Sequence, residues 1–317
     1  MNDAGRVQNF SLETNSFDEL CTSADGWDQE YCQMSPGTFE GGLDLTAVGS
    51  TQIMHERWGR KIHYQGTAPL GAYGFQMALS GAEPTTWNGH QANRDSVAIQ
   101  LPGRAADFIS GDIADMLVLG LSENDVEKLV SILTGGGEFA TKYHEIAHLK
   151  PYNAEALRRL GKALLDLPDP TTSEDLDRYE LYSEQFVKLF LWELVKARQD
   201  PELGADYTKP AIIVRDATDY ILSNPIDKVG LTDICQQLNL SLRALHYAFS
   251  DVTGQSPANW LRRIRLNRVH KTLRNSAPDD LLIKQVAIDN GFLHMSHFTG
   301  QYQRLFGCLP SETLQSS

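Results

Sequence analysis

Residues 231–269 read LTDICQQLNLSLRALHYAFSDVTGQSPANWLRRIRLNRV, a run of helical segments separated by short turns. Asp233 and the threonine before it open a first helix, which ends at a tight turn formed by Asn239 and Leu240. Ser241 is placed to cap the next helix, because its side-chain oxygen can accept a hydrogen bond from a free backbone N–H. The segment therefore predicts a helix, a short turn and a second helix, which is the helix-turn-helix unit.

The same pattern occurs a second time further along the chain. Residues 281–292, LLIKQVAIDNGF, predict a helix that ends at Gly291, and residues 294–307, HMSHFTGQYQRLFG, predict the second helix of the pair. Between the two units, residues 256–276 predict one long helix that acts as a stiff strut. Its arginines are expected to point away from a core that is faced by its apolar side chains: Trp260, Leu261, Ile264, Val269 and Leu273.

The two units and their strut resemble the DNA-binding domain of the AraC/XylS family of bacterial transcription regulators. The resemblance rests on residues 231–269 and 283–307. The residues typical of the family stand in register: Ala287, Gly291, Phe292, Ser296, Phe298, Tyr302, Phe306, Gly307 and Pro310. The resemblance implies that the second helix of each unit enters a major groove, with the strut holding these helices about one turn of DNA apart, roughly 34 Å.

The resemblance also implies which side chains contact DNA. Base edges are expected to be reached from both recognition helices: by Arg243, His246, Tyr247, Ser296, His297, Gly300 and Gln301. Phosphate contacts are expected from four other residues: Ser241, Lys271, Thr299 and Arg304. Arg243 suits a bidentate pair with guanine, and Gln301 suits a pair with adenine. Family members often carry a long basic residue at the position of Gly300, so the second unit is expected to read bases weakly.

The net charge of -13 argues against an anionic partner until its distribution is considered. Residues 211–317 hold 11 Lys+Arg and 9 Asp+Glu, whereas residues 1–210 hold 17 and 32. Six positive charges fall in the strut helix: Arg262, Arg263, Arg265, Arg268, Lys271 and Arg274. Such a run predicts a phosphate-facing surface, and a solvated helix face is the alternative interpretation.

The chain is predicted to have two domains, a sensor and dimerisation domain at 1–205 and the DNA-binding domain at 211–317. Short apolar runs broken by glycine at about 39–119 predict a mainly β, cupin-like barrel or sandwich. Helical patterns follow at about 122–200. The linker is expected at 200–210, where Pro and Gly stand at both ends of a segment with few apolar residues.

A small-molecule pocket is expected in the β-rich half. Its candidate lining is a set of aromatic residues, for which an ordinary hydrophobic core is the alternative: Trp58, Tyr64, Tyr73, Phe75 and Trp87. A weaker resemblance links MSPGTFEG at 34–41, WLRRIRLN at 260–267 and RLNRV at 265–269 to regulators of ethanolamine-utilisation operons. It implies ethanolamine with adenosylcobalamin as one candidate effector, although nothing in these residues chemically requires either compound.

His144, Glu145 and His148 fit the HExxH pattern of zinc metallopeptidases, in which two histidines one helical turn apart bind the metal. Such a site needs a well-formed helix and a third ligand. Pro151 limits the helix, and the third ligand would have to come from a glutamate: Glu155, Glu180 or Glu184. The favoured interpretation is an exposed helix start with solvated histidines, so neither a metal site nor an enzyme is expected.

The function predicted from these patterns is sequence-specific regulation of transcription, with activation of a catabolic or adaptive operon favoured. The expected partners are operator DNA, RNA polymerase, a small-molecule effector and a second copy of the chain, bound through the long helix at 181–198. A DNA-binding adaptor that senses no ligand is the other alternative, and no cofactor is required.

The expected location is the cytoplasm, at the nucleoid when bound to DNA. No apolar run approaches the roughly 18–20 residues that span a bilayer, and no secretory signal is visible. The four cysteines lack the spacing of a metal or redox motif and are expected to be reduced thiols: Cys21, Cys32, Cys235 and Cys308.

Overall fold

The computed structural model describes most of the chain: residues 7–23, 26–81, 85–136, 139, 145–168, 170–199, 209–277 and 282–315. Residues 200–208 of the predicted linker lie outside this part, so the division into domains at that point stays a prediction. None of the described helices is long and apolar enough to cross a lipid bilayer.

The N-terminal half contains two antiparallel sheets. Its strands are β1 (Val7–Thr14), β2 (Asp28–Gln33), β3 (Gly41–Val48), β4 (Thr51–Trp58), β5 (Ile62–Thr67), β6 (Ala72–Ser80), β7 (Thr85–Trp87), β8 (His90–Ala92), β9 (Ser96–Gln100), β10 (Ala105–Ile109), β11 (Ala114–Ser122) and β12 (Ile146–His148). One sheet has the strand order β1-β3-β4-β11-β6-β9-β12, and the other has the order β2-β5-β10-β7-β8.

The two sheets pack face to face through aromatic side chains. Trp58 of the larger sheet lies 5.1 Å from Tyr31 and 5.8 Å from Phe108 of the smaller sheet, measured between ring centroids. The predicted β-rich N-terminal region is therefore confirmed. The predicted strand limits are wrong, because strands begin at Val7 rather than near residue 39 and β12 lies among the helices.

Helices cover the outer face of the larger sheet. The helices of this half are α1 (Phe17–Ser23), α2 (Glu123–Thr134), α3 (Pro151–Leu165) and α4 (Ser173–Gln199). Phe75 of β6 lies 5.6 Å from Phe190 of α4, and Leu117 and Leu119 of β11 are buried in the same cluster. Because both faces of this sheet are covered, β11 shows an almost continuous apolar run.

The C-terminal half is all-helical, as predicted. Its helices are α5 (Lys209–Ser223), α6 (Leu231–Gln237), α7 (Leu242–Thr253), α8 (Pro257–Arg274), α9 (Ile283–Asp289), α10 (Met295–Phe306) and α11 (Pro310–Gln315). The strut α8 contributes to two cores: Trp260 and Ile264 are buried with α5 to α7, while Val269 and Leu273 are buried with α9 to α11. Two helix-turn-helix units therefore share one helix.

The turn of the first unit follows from its sequence. Asn239 adopts a positive φ of 51°, a conformation that asparagine tolerates better than most residues. Ser241 then caps α7, since its Oγ accepts a hydrogen bond from the backbone N–H of Ala244. Ser256 caps α8 in the same way, through the N–H of Asn259. These local features fix the angle at which α7 leaves the turn.

The two halves meet at residues 33–38, a segment that we call the joint. The backbone of Gln33 exchanges two hydrogen bonds with the side chain of Asn267 on α8, at 2.8 and 2.9 Å. Its side-chain Nε2 donates to the carbonyl of Leu305 on α10 at 2.6 Å, and the N–H of Gly37 reaches the same carbonyl at 3.1 Å. The joint thus lies against both the strut and the second recognition helix.

Candidate nucleic-acid interface and ligand cavity

Helix α7 presents a polar face to solvent. Arg243, His246 and Tyr247 are exposed, with Tyr247 at 67%, while Leu245 and Phe249 on the opposite side are buried. Spacing of three and four residues places the exposed side chains on one face of the helix. The Ser241 hydroxyl already caps α7, so any phosphate contact from Ser241 has to be made by the same group.

Helix α10 presents the corresponding face of the second unit. Ser296, His297 and Gly300 are exposed and Gln301 is half-buried, while Phe298 on the opposite side is buried. A Cβ added at Gly300 would meet no atom within 4 Å, so packing does not require glycine there.

The two residues of α10 that are predicted to contact phosphate differ in exposure and in hydrogen bonding. Thr299 donates its hydroxyl to the carbonyl of Met295 at 3.0 Å, whereas the Arg304 side chain is exposed. The structure therefore presents Arg304 more openly than Thr299. Their roles in DNA binding stay predictions.

The prediction that the strut arginines face away from the core is wrong for Arg265 and Arg268, whereas Arg262 is exposed as predicted. Arg265 donates to the carbonyls of Ile226 and Val229, and Arg268 donates to that of Leu222, so both side chains fasten α8 to the end of α5 and the loop before α6. These guanidiniums satisfy carbonyl groups at and beyond the helix end, which a sequence pattern cannot reveal.

The strut also pairs with the acidic N-terminal half. The Nζ of Lys271 lies 3.4 Å from a carboxylate oxygen of Glu30, and Arg274 lies 3.9 Å from Asp18 and 3.7 Å from Glu19. The strut is therefore neither one phosphate-facing surface nor one solvated face. Lys271 can reach phosphate only by leaving Glu30.

A helix-turn-helix domain model matches residues 234–316. The C-terminal half therefore contains a helix-turn-helix domain, and it is similar to the domains of AraC-type regulators. The match begins within α6 and ends at α11, so it includes both recognition helices and the whole strut. The match confirms the resemblance of these helices to the DNA-binding domain of AraC/XylS regulators.

Curated relatives are regulators of operons by name. The probable thc operon regulatory protein of Rhodococcus erythropolis is 31% identical over 39% of this chain and 38% of its own length. XylDLEGF operon transcriptional activator 2 of Pseudomonas putida is 28% identical over 42% of this chain and 85% of its own length. Activator 3 from the same organism is 21% identical over 88% of this chain and 83% of its own length.

This chain spans only 38% of the length of the Rhodococcus protein and 30% of the length of another XylDLEGF operon transcriptional activator. Among solved structures, an AraC-type transcriptional regulator from Chromobacterium violaceum is 24% identical over 32% of this chain and 89% of its own, with a TM-score of 0.30. ToxT from Vibrio cholerae is 16% identical over 84% of this chain and 99% of its own, with a TM-score of 0.33.

The predicted helix at the HExxH pattern is wrong. Ile146 to His148 form strand β12, which pairs with β9, and His148 Nδ1 lies 2.8 Å from the Ser96 hydroxyl. Glu145 hydrogen-bonds to the side chain of Asn88. The residues of this pattern that the structure describes therefore do not form a helix.

The remaining parts of the zinc hypothesis find no support in the structure. His144 lies outside the described residues, and within the described part of the chain no group of three His, Cys, Asp or Glu side chains is arranged to hold a metal ion. Of the proposed third ligands, Glu155 pairs with Arg158 and Arg159, and Glu184 pairs with Lys188.

A narrow cavity of about 40 Å³ lies between the two sheets. Four of the five aromatic residues predicted for the effector pocket border it, namely Trp58, Tyr64, Phe75 and Trp87, but the ring of Phe75 lies in the cluster beneath α4. Tyr73 does not border it, and its assignment is wrong. Its ring stacks on Phe75 at 5.8 Å in the cluster beneath α2 and α4, and its hydroxyl reaches Glu127 at 3.3 Å.

Sequence reasoning missed the carboxylate in this cavity. Glu56 receives a hydrogen bond from the Tyr31 hydroxyl at 2.6 Å and another from the Trp58 indole N–H at 2.9 Å, both at Oε1. Burial raises the pKa of Glu56, and these two donors partly offset that rise. A signal was available, since Glu56 stands between Met54 and Trp58 in the inward-facing positions of β4.

Proposed function

We propose that this protein is a transcription regulator that reads operator DNA with α7 and α10 and responds to a small molecule bound between its two sheets. The observation that carries the proposal is the pair of helix-turn-helix units on one strut, each with an exposed polar face. The names of the relatives support activation as the sign of regulation. Contact with RNA polymerase belongs to the same proposal.

Arg243, His246 and Tyr247 are proposed to read one box of the operator, and Ser296, His297 and Gln301 the other. Gly300 lets the second helix approach the bases closely but gives no side-chain contact of its own. Arg304, Ser241 and Thr299 contact phosphate groups. Such contacts fix the position of the protein on the duplex without specifying its sequence.

A ligand-responsive regulator is favoured over an adaptor without a ligand because the cavity contains unsatisfied polar groups. The indole N–H of Trp87, a residue only 2% exposed, has no hydrogen-bond partner, and neither does Oε1 of Gln29. Buried polar groups in native proteins are normally paired, so an unpaired donor and acceptor in one cavity favour a bound molecule.

Strand β2 supplies a short connection from the cavity to the strut. Gln29 and Tyr31 line the cavity, and Gln33 at the end of the strand holds Asn267 of α8. Because side chains two apart share a face of a strand, a ligand that displaces Tyr31 also shifts the joint. The effector then acts through its different affinity for two arrangements of the halves.

A homodimer through α4 completes the proposal. Leu181, Leu189 and Trp192 are 51%, 37% and 39% exposed, and their spacing places them along one side of this long helix. Introducing negative charge through Leu181→Glu and Trp192→Glu is expected to leave a monomer in sedimentation experiments. A dimer that survives both changes would show that α4 is not the interface.

The experiment that tests the function is selection of random DNA duplexes by the full-length protein at about 150 mM salt, where non-specific phosphate binding is weak. Enrichment of a bipartite motif, with boxes about one helical turn apart, is expected. Recovery of random sequences after repeated rounds would contradict the proposed function.

A further inference from the structure

A groove of about 410 Å³, which we call the inter-unit groove, separates the two helix-turn-helix units. Its walls are the first half of the strut α8, the start of α6, and the turn and first residues of α10. His297 and Gln301, which are proposed to read bases, are part of its lining. The inter-unit groove is therefore continuous with the face that α10 presents to DNA.

The lining of the inter-unit groove is basic. Four of its side chains are cationic or can become so: Arg262, Arg265, His294 and His297. None of the described lining residues is an aspartate or a glutamate. At the far end of the strut, by contrast, the cations pair with carboxylates of the N-terminal half. The exposed guanidinium of Arg262 donates instead to a neutral partner, the side chain of Asn259, at 2.8 Å.

Arg265 connects the two walls of the inter-unit groove. Its guanidinium donates to the carbonyls of Ile226 and Val229, just before α6 of the first unit. On the other side, a Cβ added at Gly291 would lie 3.2 Å from Cζ of the same guanidinium, so the turn of the second unit packs on it. The width of the inter-unit groove is therefore set by direct contacts of one side chain with both units.

The electrostatics of the inter-unit groove favour an anion. Burial and the nearby charge of Arg262 lower the pKa of Arg265, and Asp227 offsets only part of this effect. An anion between the two guanidiniums relieves their repulsion, because an opposite charge stabilises the charged form of each. The apolar part of the lining includes Leu261 and Leu293, the latter 79% exposed. Such a lining suits an anion that carries a non-polar group, such as the sugar of a nucleotide.

We propose that the inter-unit groove binds the sugar-phosphate backbone of operator DNA between the two boxes, through Arg262 and His294. With α7 and α10 in successive major grooves on one face of the duplex, the DNA between them passes in front of the strut. Phosphate contacts there make affinity depend on how readily the intervening base pairs bend toward the protein. This inference rests on the proposed function and adds a third region of contact between its two boxes.

The test uses the operator obtained by duplex selection, with one phosphate at a time replaced by an uncharged methylphosphonate across the segment between the boxes. Binding of the full-length protein is measured by fluorescence anisotropy. At one or more of these positions, the replacement is expected to weaken binding of the wild type by about tenfold. The same replacement is expected to weaken binding of Arg262→Ala by less than about twofold, because the contact is already absent.

Further variants separate charge from other effects. Arg262→Lys keeps the positive charge and is expected to retain most of the response to methylphosphonate. His294→Ala is expected to lose the response at a neighbouring phosphate, and an unchanged response at every position would exclude His294 from the contact. Arg159→Ala removes an exposed cation of the N-terminal half and is the control, which should respond as the wild type does.

A wild type that is insensitive to every replacement between the boxes would overturn the inference, as would an Arg262→Ala variant that responds as strongly as the wild type. Unchanged operator affinity in Arg262→Ala, combined with loss of transcription from the operator, would assign the inter-unit groove to RNA polymerase and would also overturn the inference. Failure of the selection to yield an operator contradicts the proposed function. Sequence-specific binding without any response to methylphosphonate contradicts only the role of the inter-unit groove.

Discussion

Glu56 and Arg243 show how single side chains set chemistry in this protein. Glu56 occupies an inward position of β4, where burial disfavours its charge and two hydrogen bonds only partly compensate. Arg243, in contrast, is exposed on α7 and is not part of a hydrophobic core. Changes at Glu56 are therefore expected to affect the stability of the fold, whereas changes at Arg243 are expected to affect DNA binding alone.

Glu56→Gln is expected to stabilise the protein at neutral pH. The folded state raises the pKa of Glu56 above its ordinary 4.5, so folding favours the protonated form. The wild type therefore loses stability relative to the variant as pH rises through that region, by about 1.4 kcal/mol for each unit of the rise. Urea unfolding of both proteins at about pH 4 and about pH 7.5 measures the difference. A difference that does not grow with pH would contradict this account.

Arg243→Ala is expected to cost about 1–3 kcal/mol of specific DNA binding and to relax one base position. Arg304→Ala is the matched change, and it should weaken specific and random duplexes alike because it removes a phosphate contact. Fluorescence anisotropy on the selected operator and on a scrambled duplex separates the two effects. Equal losses on both duplexes in the Arg243 variant would remove it from base readout.

Helix α10 differs from α7 in having a glycine at the centre of its exposed face. Gly300 meets no neighbouring atom where a Cβ would stand, so the helix tolerates a larger residue there. The cost of this glycine is conformational, since glycine in an exposed helix interior is less stable than alanine by about 1 kcal/mol. Position 300 is therefore a place where helix stability and DNA contact can be changed separately.

Two substitutions at Gly300 test this. Gly300→Ala is expected to raise the free energy of unfolding by about 1 kcal/mol and to leave DNA affinity unchanged. Gly300→Arg is expected to strengthen DNA binding and to steepen its dependence on log salt concentration by about one unit. Salt titrations of operator binding check the second expectation, and an unchanged slope would place residue 300 away from DNA.

An element could be predicted from the sequence when the residues that determine its structure lie within the element itself. Helices α6 to α10 were predictable because their apolar spacing and turn residues lie within the segments themselves. Strand β12 was not, because three residues form a strand only when β9 pairs with them. Strand β1 was missed because its sequence, VQNFSLET, is mostly exposed and shows no apolar alternation that would mark a half-buried strand.

The same distinction applies to the sites. The exposed faces of α7 and α10 follow from helical periodicity, and aromatic residue types indicated most of the cavity. The carbonyl partners of Arg265 and Arg268, and the joint, depend on contacts between residues far apart in sequence. Those contacts arise only when the halves pack together.

At the scale of the whole molecule, the acidic N-terminal half packs against the helix-turn-helix half at the joint and at α1. Asn267, only 5% exposed, satisfies both backbone groups of Gln33, and Phe17 of α1 stacks at 6.2 Å on Phe306 of α10. The strut that spaces the two recognition helices is thus the element that the N-terminal half holds. The proposed regulation by rearrangement of the halves would act through this connection.

Asn267→Ala is expected to lower the free energy of unfolding by about 1–3 kcal/mol, because it leaves two backbone groups of Gln33 without partners. It is also expected to weaken the effect of ligand on operator affinity. Asn259→Ala, on the exposed start of the same helix, is the matched control. An undiminished ligand effect in a folded Asn267 variant would exclude the joint from regulation.

Footprinting of the selected operator tests the central claim most directly, with the wild type compared against Arg243→Ala and Gln301→Ala. Two protected boxes about one helical turn apart are expected, with the first variant losing sequence discrimination in one box and the second variant losing it in the other. A single protected box, or loss of discrimination in both boxes from either substitution, would contradict the assignment of one recognition helix to each box.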